Sequence, residues 1–561
     1  MKIHSKRFTL IALSAALLFA SVGATAASAD AVVSDNYAVA YYSGESSFSC
    51  YLDEENTLYV SGNNASGQFG DGTKGKTRYA PQKVMENVAA VADGKSGFVL
   101  ALKKDGSLYG WGSNQYAQLG QGTAFNDDTE TNCVLAPAEI VLPEGKAAAV
   151  AAGDAFSVVL TEDGSVYTFG RAGDGQTGIA GLELSRKTVV GTPAKIDQSY
   201  FGNEKIAAVD AAENTGFALT ESGSLYIWGA NDKGILGNGS VDENEIYETP
   251  VKLEFDEKIA RVSAETMTVM ILTESGRVFG WGDNSVGQLG AAAASGVSVG
   301  APVETDKFYA PDGTETEIEV KDILCGGRTN FVLSKDGRVF AFGAAGQGQA
   351  GCNLQSEYYL NHPCVSASNV VLPLEIRFFQ PVNIEEEAEK ENSEYADKSP
   401  VDLSREIDVE VAELVNSISD RTFVKDADGN MWSWGVNLYA MVCSGDALNC
   451  TSPVRSTMFR KENYDKDFAT KNYMLKPAIV MSCVAVFAVC WFTWSEIKIR
   501  RNRKLAAAEQ KQLEEMQRKN KKDGRLSPQK IKKEFYDEKV FKAGCPCNGD
   551  RHGRGAGADG L

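Results

Sequence analysis

The stretch DGSLYGWGSNQYAQLGQG (105–122) recurs along this chain, and that recurrence limits its fold more than any other feature. Relatives begin at Asp163 (DGSVYTFG), Ser222 (SGSLYIWG), Ser275 (SGRVFGWG), Asp336 (DGRVFAFG) and Asp428 (DGNMWSWG), with a worn copy, ENTLYVSG, at Glu55. Repeats of several tens of residues build solenoids, propellers or arrays, because one unit cannot bury its apolar face alone. The glycine after the aromatic falls at Gly62, Gly112, Gly170, Gly229, Gly282, Gly343 and Gly435. The intervals run from 50 to 61 residues, except the last, which is 92.

Each copy is preceded by an apolar stretch such as GFVLAL (97–102), FSVVLT (156–161) or TVMILT (268–273). That stretch, a two-residue polar turn and the aromatic stretch together predict a β-hairpin, with Gly supplying the positive φ of the turn. Glycine-spaced loops follow (SNQYAQLG, RAGDGQTG, DNSVGQLG), then a short Pro-containing strand (APAEIVL, TPAKIDQ, TPVKLEF), then a run such as VAAVADG that leads into the next unit. Four short strands per unit describe one propeller blade. The DADGN turn at Asp428 is acidic, but its place in the repeat makes it a hairpin turn and not a calcium loop.

The pattern G-x-x-x-[ST]-x-x-L-T-x-D-G-x-V-Y-x-W-G-x-N-x-x-G-Q-L-G resembles the regulator-of-chromosome-condensation repeat; 264–290, 94–120 and 326–351 match it well. The resemblance covers about residues 36 to 460 and implies an all-β, seven-bladed β-propeller. The Asp-Gly pair then closes a blade hairpin, and the aromatic-Gly strand packs between blades. The last unit lacks the strand that normally follows, and YAVAYYSG (37–44) is similar to VAAVADG, so the N-terminal segment is expected to complete the ring beside the seventh unit. The family often carries His in a Gly-x-x-His-Thr run before the hairpin. Here those positions read Gly94-Lys95-Ser96, Gly153-Asp154-Ala155 and Gly327-Arg328-Thr329.

Two segments stand outside the repeats. Residues 1–29 have a basic start, an apolar middle and a small-residue end, the pattern of a secretory signal peptide. Residues 477–495, PAIVMSCVAVFAVCWFTWS, carry no charge and precede the basic run EIKIRRNRK; such a stretch is long enough to span a bilayer. The expected organisation is a signal peptide (1–29), a propeller (30–460) with a charged insertion (383–410), a juxtamembrane linker (461–473), one transmembrane helix (474–495) and a basic cytoplasmic tail (496–561), partly helical or disordered. In this reading the chain is a single-pass type I membrane protein with its propeller outside the cell.

Charge follows the same division. The whole chain is at −19, yet the tail contributes +8 (18 basic and 10 acidic residues), residues 1–29 contribute +3 and Lys476 +1, which leaves residues 30–473 at −31. A domain this acidic repels phosphate backbones, so nucleic acid is not an expected partner.

Chemistry is sparse. The three His are His4, His362 and His552, so a Ser-His or Cys-His arrangement in the propeller would rest on His362 alone. There is no P-loop and no HExxH, and no catalytic, cofactor or metal residue is assigned. Cys443 with Cys450, and Cys352 with Cys364, are close enough in sequence for disulfides; Cys50 and Cys325 fall on strands and read as buried apolar residues. In the tail, Cys545, Cys547 and His552 resemble the start of a short Cys-Pro-Cys zinc motif without its closing Cys. The composition and fold together lead to a binding module, a receptor, adhesin or inhibitor-like protein for an extracellular protein or surface polymer. The alternatives are a structural scaffold and a carboxylate-dependent hydrolase; ligand identity and oligomeric state are open at this stage.

Overall fold

The computed structural model describes residues 38–455 apart from a few single positions and 45–47, 123–124, 127–131, 291–295, 355–361, 382–403, 419–420 and 437–449, and then short stretches within 504–533. The chain divides into two compact units, Met1–Tyr473 and Met474–Leu561. The signal-like segment, the apolar segment 474–495, most of the charged insertion and the Cys545–His552 cluster lie outside the described residues. Among the described residues no helix is long and apolar enough to cross a membrane. In the second unit, residues 510–519 are helical, and Leu513 and Met516 are half-exposed on an otherwise solvated helix.

The described part of the first unit is built of β-strands, apart from two short 3-10 turns at Gln198–Phe201 and Asp232–Gly234. The second blade shows the plan: Val88–Gly94, Phe98–Lys103, Leu108–Ser113 and Cys133–Ile140 form one antiparallel sheet in that order. Six sheets have this four-stranded plan. Their innermost strands abut in sequence, from Ala38–Gly44 to Val88–Gly94, Ala147–Ala152, Ile206–Ala212, Ile259–Glu265, Val320–Cys325 and Val411–Ile418, and the last returns to the first. The ring closes through this N-terminal strand without exchange of strands between sheets.

The expectation of a seven-bladed propeller needs correction. Six four-stranded blades are present, and the sixth repeat forms a seven-stranded sheet instead. Its four repeat strands are Val320–Cys325, Thr329–Ser334, Val339–Ala344 and Asn369–Glu375. Phe308–Tyr309 adds to Asn369–Glu375 in parallel, Glu315–Thr316 pairs with Phe308–Tyr309, and Val365–Ser366 folds back beside them. The extra strands come from longer connections around this repeat, and they occupy an edge whose backbone groups would otherwise be unpaired. The insertion is likewise rooted in a hairpin, Phe378–Pro381 with Ser404–Ile407, that lies against the outer strand Cys450–Arg455. The Phe378 ring meets Trp432 edge-on at 5.3 Å.

The opening motif now has a physical account. In the turn, Asp105 accepts the Ser107 N–H at 3.0 Å and Gly106 sits at φ 84°. The aromatic at the end of the next strand is buried: Trp111, Trp228, Trp281 and Trp434 are all 0% exposed. Each indole N–H donates to a carbonyl in the glycine-spaced loop of the preceding unit: Trp111 to Gln68, Trp228 to Gln176, Trp281 to Ile235 and Trp434 to Gln349, at 2.7–2.9 Å. A buried donor satisfied across a seam makes the aromatic a staple between blades. The loop is held for this purpose by its own side chains: Asn114 accepts the Leu119 N–H at 3.0 Å and Gln118 accepts the Tyr116 N–H at 2.9 Å. The loop's closing glycine lies flat against the next aromatic, as Gly178 does on the Trp228 ring, where a Cβ would come within 3.0 Å.

The outermost repeat strands each carry a proline, at Pro81, Pro137, Pro193, Pro250, Pro302, Pro373 and Pro453. Proline cannot donate to a ladder, so it suits the outermost strands of the four-stranded blades, which have one open side, and discourages edge-to-edge association; Pro373 differs, because its strand has Phe308–Tyr309 added beside it. The register skips beside it, with Gly110 opposite Ala138 and Gly112 opposite Val134.

Candidate functional site

Within each blade the innermost and third strands run the same way, so the loops after both lie on one face. Around the channel on that face, the described structure has a small solvent-open depression. It is lined by Asp93, Lys95, Asp154, Glu213 and Glu265, with Ala152, Gly153, Ala211 and Ala212 between them. Four carboxylates against one ammonium give it an acidic character. The residues come from the ends of four consecutive innermost strands or the short loops that follow, the second blade to the fifth.

These loops are tied to one another. Ser96 donates its N–H to the Asp154 carbonyl at 3.0 Å and its hydroxyl to the Asp154 carboxylate at 2.7 Å. The Asp154 N–H donates to the Glu213 carbonyl at 2.8 Å, and Lys95 forms an ion pair with Glu213. Gln176 donates to Asn214 at 3.1 Å. Glu213 and Thr266, at equivalent places, both adopt positive φ, 47° and 53°. The positions Lys95 and Asp154, where the family often has its histidine run, are therefore brought together here; Arg328, their counterpart in the sixth repeat, is exposed and outside the lining. Glu213 and Glu265 were missed in the sequence because their own repeats lack the marker glycine; the signal was their place at the end of the strand before the hairpin.

Beneath the depression the wall is polar. Asp210, on the innermost strand of the fourth blade, accepts the N–H of Ala211 and that of Ala264 on the next blade, both at 2.9 Å. Burial pushes its carboxyl up to about 6, opposed by those two N–H bonds and by Arg261. Arg261 pairs with Asp322 at 2.8 Å, the Cys325 N–H donates to Ser263 at 2.9 Å, and Lys321 donates to the Ala412 carbonyl at 2.8 Å. Apart from the local Ala211 bond, each of these contacts crosses a seam between sheets and ties neighbouring innermost strands together beneath the loops.

The other candidates resolve as structure. His362 is buried: its Nδ1 accepts the Cys364 N–H at 3.3 Å and its Nε2 lies 3.1 Å from the Pro311 carbonyl. It anchors a loop, and the neighbouring Cys364 thiol is pushed up to about 12 by burial, which leaves no thiolate for nucleophilic work. The expected Cys352–Cys364 disulfide is not formed. Cys352 instead directs its S–H to the Ala350 carbonyl at 3.4 Å, and both cysteines fill the core of the sixth and seventh sheets as small apolar groups. Cys443 lies outside the described residues, as does the Cys450 side chain, so that pairing has no structural account. Cys50 and Cys325 are buried on strands, as their sequence positions implied. Among the described residues no group of three or more His, Cys, Asp or Glu is placed to hold a metal ion.

The geometry defines a β-propeller built from sequence repeats, with an acidic mouth on its loop face. Two family models described as the regulator of chromosome condensation (RCC1) repeat match the chain, one at 105–160 and 222–272, the other at 88–118, 147–176 and 268–288. The ultraviolet-B receptor UVR8 of Arabidopsis thaliana is 32% identical over 227 residues, which is 40% of this chain and 47% of that protein. Human WBSCR16 aligns over 72% of this chain and 94% of its own, with a TM-score of 0.54 at 21% identity. Prp20p of Saccharomyces cerevisiae aligns over 73% and 87%, with a TM-score of 0.54 at 20% identity. In the segments that the two family models match, the chain carries repeats of the RCC1 type. The similar segments span only 14% to 51% of the length of the curated relatives, so what those whole proteins do does not transfer with the fold.

Proposed function

We propose that this protein is an exported, membrane-anchored propeller whose loop face binds a protein partner through a basic group seated in the acidic depression. The observation that carries the reading is the convergence of Asp93, Asp154, Glu213 and Glu265 around a single ammonium at the mouth of a closed ring. Rigid blades holding short loops in fixed positions suit recognition, since little ordering entropy is lost on binding. Carboxylates at the mouth favour a guanidinium or ammonium and repel phosphate, in line with the −31 carried by residues 30–473. Export and anchorage rest on the signal-like residues 1–29 and the uncharged segment 477–495 with its basic flank. A propeller of similar fold, Prp20p, is known for binding Gsp1p and histones, which supports a protein partner rather than a small metabolite. Counting the seven-stranded sheet as a blade, the ring is sevenfold.

Two measurements test this. The full chain in detergent is titrated with an Arg/Lys-rich peptide and with a Glu-rich peptide of equal length. The basic peptide should bind, weaken several-fold in an Asp154→Asn/Glu213→Gln double variant, and weaken further as salt rises. Equal binding of both peptides, or indifference to the double variant, removes the depression as the recognition site. Labelling of intact cells with a membrane-impermeant amine reagent should modify lysines within 38–455 and spare those within 498–533; the opposite pattern, or no labelling, rejects export.

A further inference from the structure

The chain contains three Asn-x-Ser/Thr triplets, at Asn64-Ala65-Ser66, Asn238-Gly239-Ser240 and Asn449-Cys450-Thr451. Such a triplet accepts an N-linked glycan only where the folded chain can leave room for it, which means an exposed loop of an exported protein. The structure separates the first two. Asn64 is 0% exposed. Its amide donates to the Thr73 carbonyl at 3.0 Å and its carbonyl oxygen accepts the Phe69 N–H at 3.0 Å, so it clamps the loop that receives the Trp111 indole. A sugar on that nitrogen would have to displace the blade seam, and a chain so modified could not close its ring. Asn449 lies outside the described residues.

Asn238 differs in its exposure. It is exposed at the tip of the glycine-spaced loop of the fourth blade, and Gly239 beside it has open space around its Cα. Its carbonyl oxygen already accepts the Ser240 N–H at 3.0 Å, so the amide and the hydroxyl residue of the triplet are held on one side of a tight turn. The amide nitrogen donates to Glu245 at 2.6 Å and to the Tyr247 hydroxyl at 2.9 Å. A secondary amide keeps one N–H, so one of these bonds survives modification and would orient the first sugar. The loop is fixed to the fifth blade by the Gly239 N–H bond to the Gly300 carbonyl at 2.6 Å.

We propose that Asn238 is an N-glycan acceptor on the exported chain; this rests on the export reading above. The step joins the Asn238 amide nitrogen to the anomeric carbon of a polyprenyl-diphosphate-linked oligosaccharide: the C1–O bond to diphosphate breaks, the new N–C1 bond forms, the amide gives up one proton, and the lipid diphosphate leaves. No oxidant or reductant is involved. The glycan stands on the loop face, where it covers the outer part of the fourth-to-fifth blade seam and leaves the second and third blades as the approach for a protein partner.

The test is to produce the full chain in a secretory host that carries out N-glycosylation, and to read occupancy by peptide mass spectrometry before and after amidase release of glycans. Processing after residue 29 is scored separately, by N-terminal sequencing. Exported chain with a glycan at Asn238 and an unmodified Asn64 is the expected result. Ser240→Ala, which keeps the Asn238 side chain, should abolish the modification, and Asn238→Gln should remove one glycan's mobility shift, while both variants stay exported. Exported chain with bare Asn238, or a glycan on Asn64 in folded protein, overturns the proposal and leaves export standing. Chain that is neither processed nor exported overturns export and the acceptor site together.

Discussion

Replacing Gly170 by Ala should cost far more stability than replacing Gly276 by Ala, although both glycines have positive φ, 112° and 90°. Gly276 closes a hairpin turn, and a Cβ there meets nothing within 4 Å, so only the backbone strain remains, about 1 kcal/mol. Gly170 follows the aromatic of the third blade and lies opposite Phe156 in the neighbouring strand. A Cβ there would sit 2.6 Å from the Ala155 carbonyl oxygen and 2.7 Å from the Phe156 Cα. Both are backbone atoms, so no rotamer change relieves the approach, and the strands must part by more than half an ångström to reach ordinary contact. The Arg171 N–H bond to that same Ala155 carbonyl, 2.9 Å, is the first to open. One or two interior hydrogen bonds at about 1–3 kcal/mol each, added to the strain, bring Gly170→Ala to about 4 kcal/mol. Equilibrium urea unfolding followed by tryptophan fluorescence measures both, since Trp111, Trp228 and Trp281 are buried in the ring. If the two variants lose the same stability within about 1 kcal/mol, φ alone accounts for the repeated glycine and the close-approach argument is wrong.

Three further outcomes follow from the same contacts. Trp281→Phe should destabilise by about 1–3 kcal/mol, because the Ile235 carbonyl loses its 2.8 Å donor while most of the apolar volume is retained; a neutral result would deny the staple role. Asp210, with its carboxyl raised from 3.8 to about 6, contributes most favourably when protonated, and that contribution is lost as pH rises through 6. Relative to Asp210→Asn, the protein should therefore gain about 1 kcal/mol between pH 7 and pH 5; parallel pH profiles of the two would refute the assignment. Cys352 and Cys364 should both be alkylated in protein unfolded without reductant, since each is a buried thiol and not half of a disulfide; a linked peptide pair would contradict the packing described.

The sequence alone determined the repeat, the all-β class and the role of its fixed residues. Glycine at Gly112 or Gly170, the aromatic before it (Trp111 or Phe169) and the Asp-Gly turn are local requirements of φ, strand propensity and reversal, and a period of 50–61 residues repeats them often enough to read. Burial of Cys50 and Cys325 was legible because both fall on strands of the repeat, where a small apolar side chain belongs in the core. Tertiary structure alone decided what lies far apart in the chain. The extra strands of the sixth sheet depend on which open edge a long connection can reach, and spacing does not encode that. Cys352 and Cys364 are twelve residues apart in sequence, yet they pack as separate thiols because bond formation depends on orientation and not on proximity in the chain. The depression is the clearest case. Lys95 and Glu213 are 118 residues apart, and only ring closure, which sets the ends of successive innermost strands side by side, places one charge against the other.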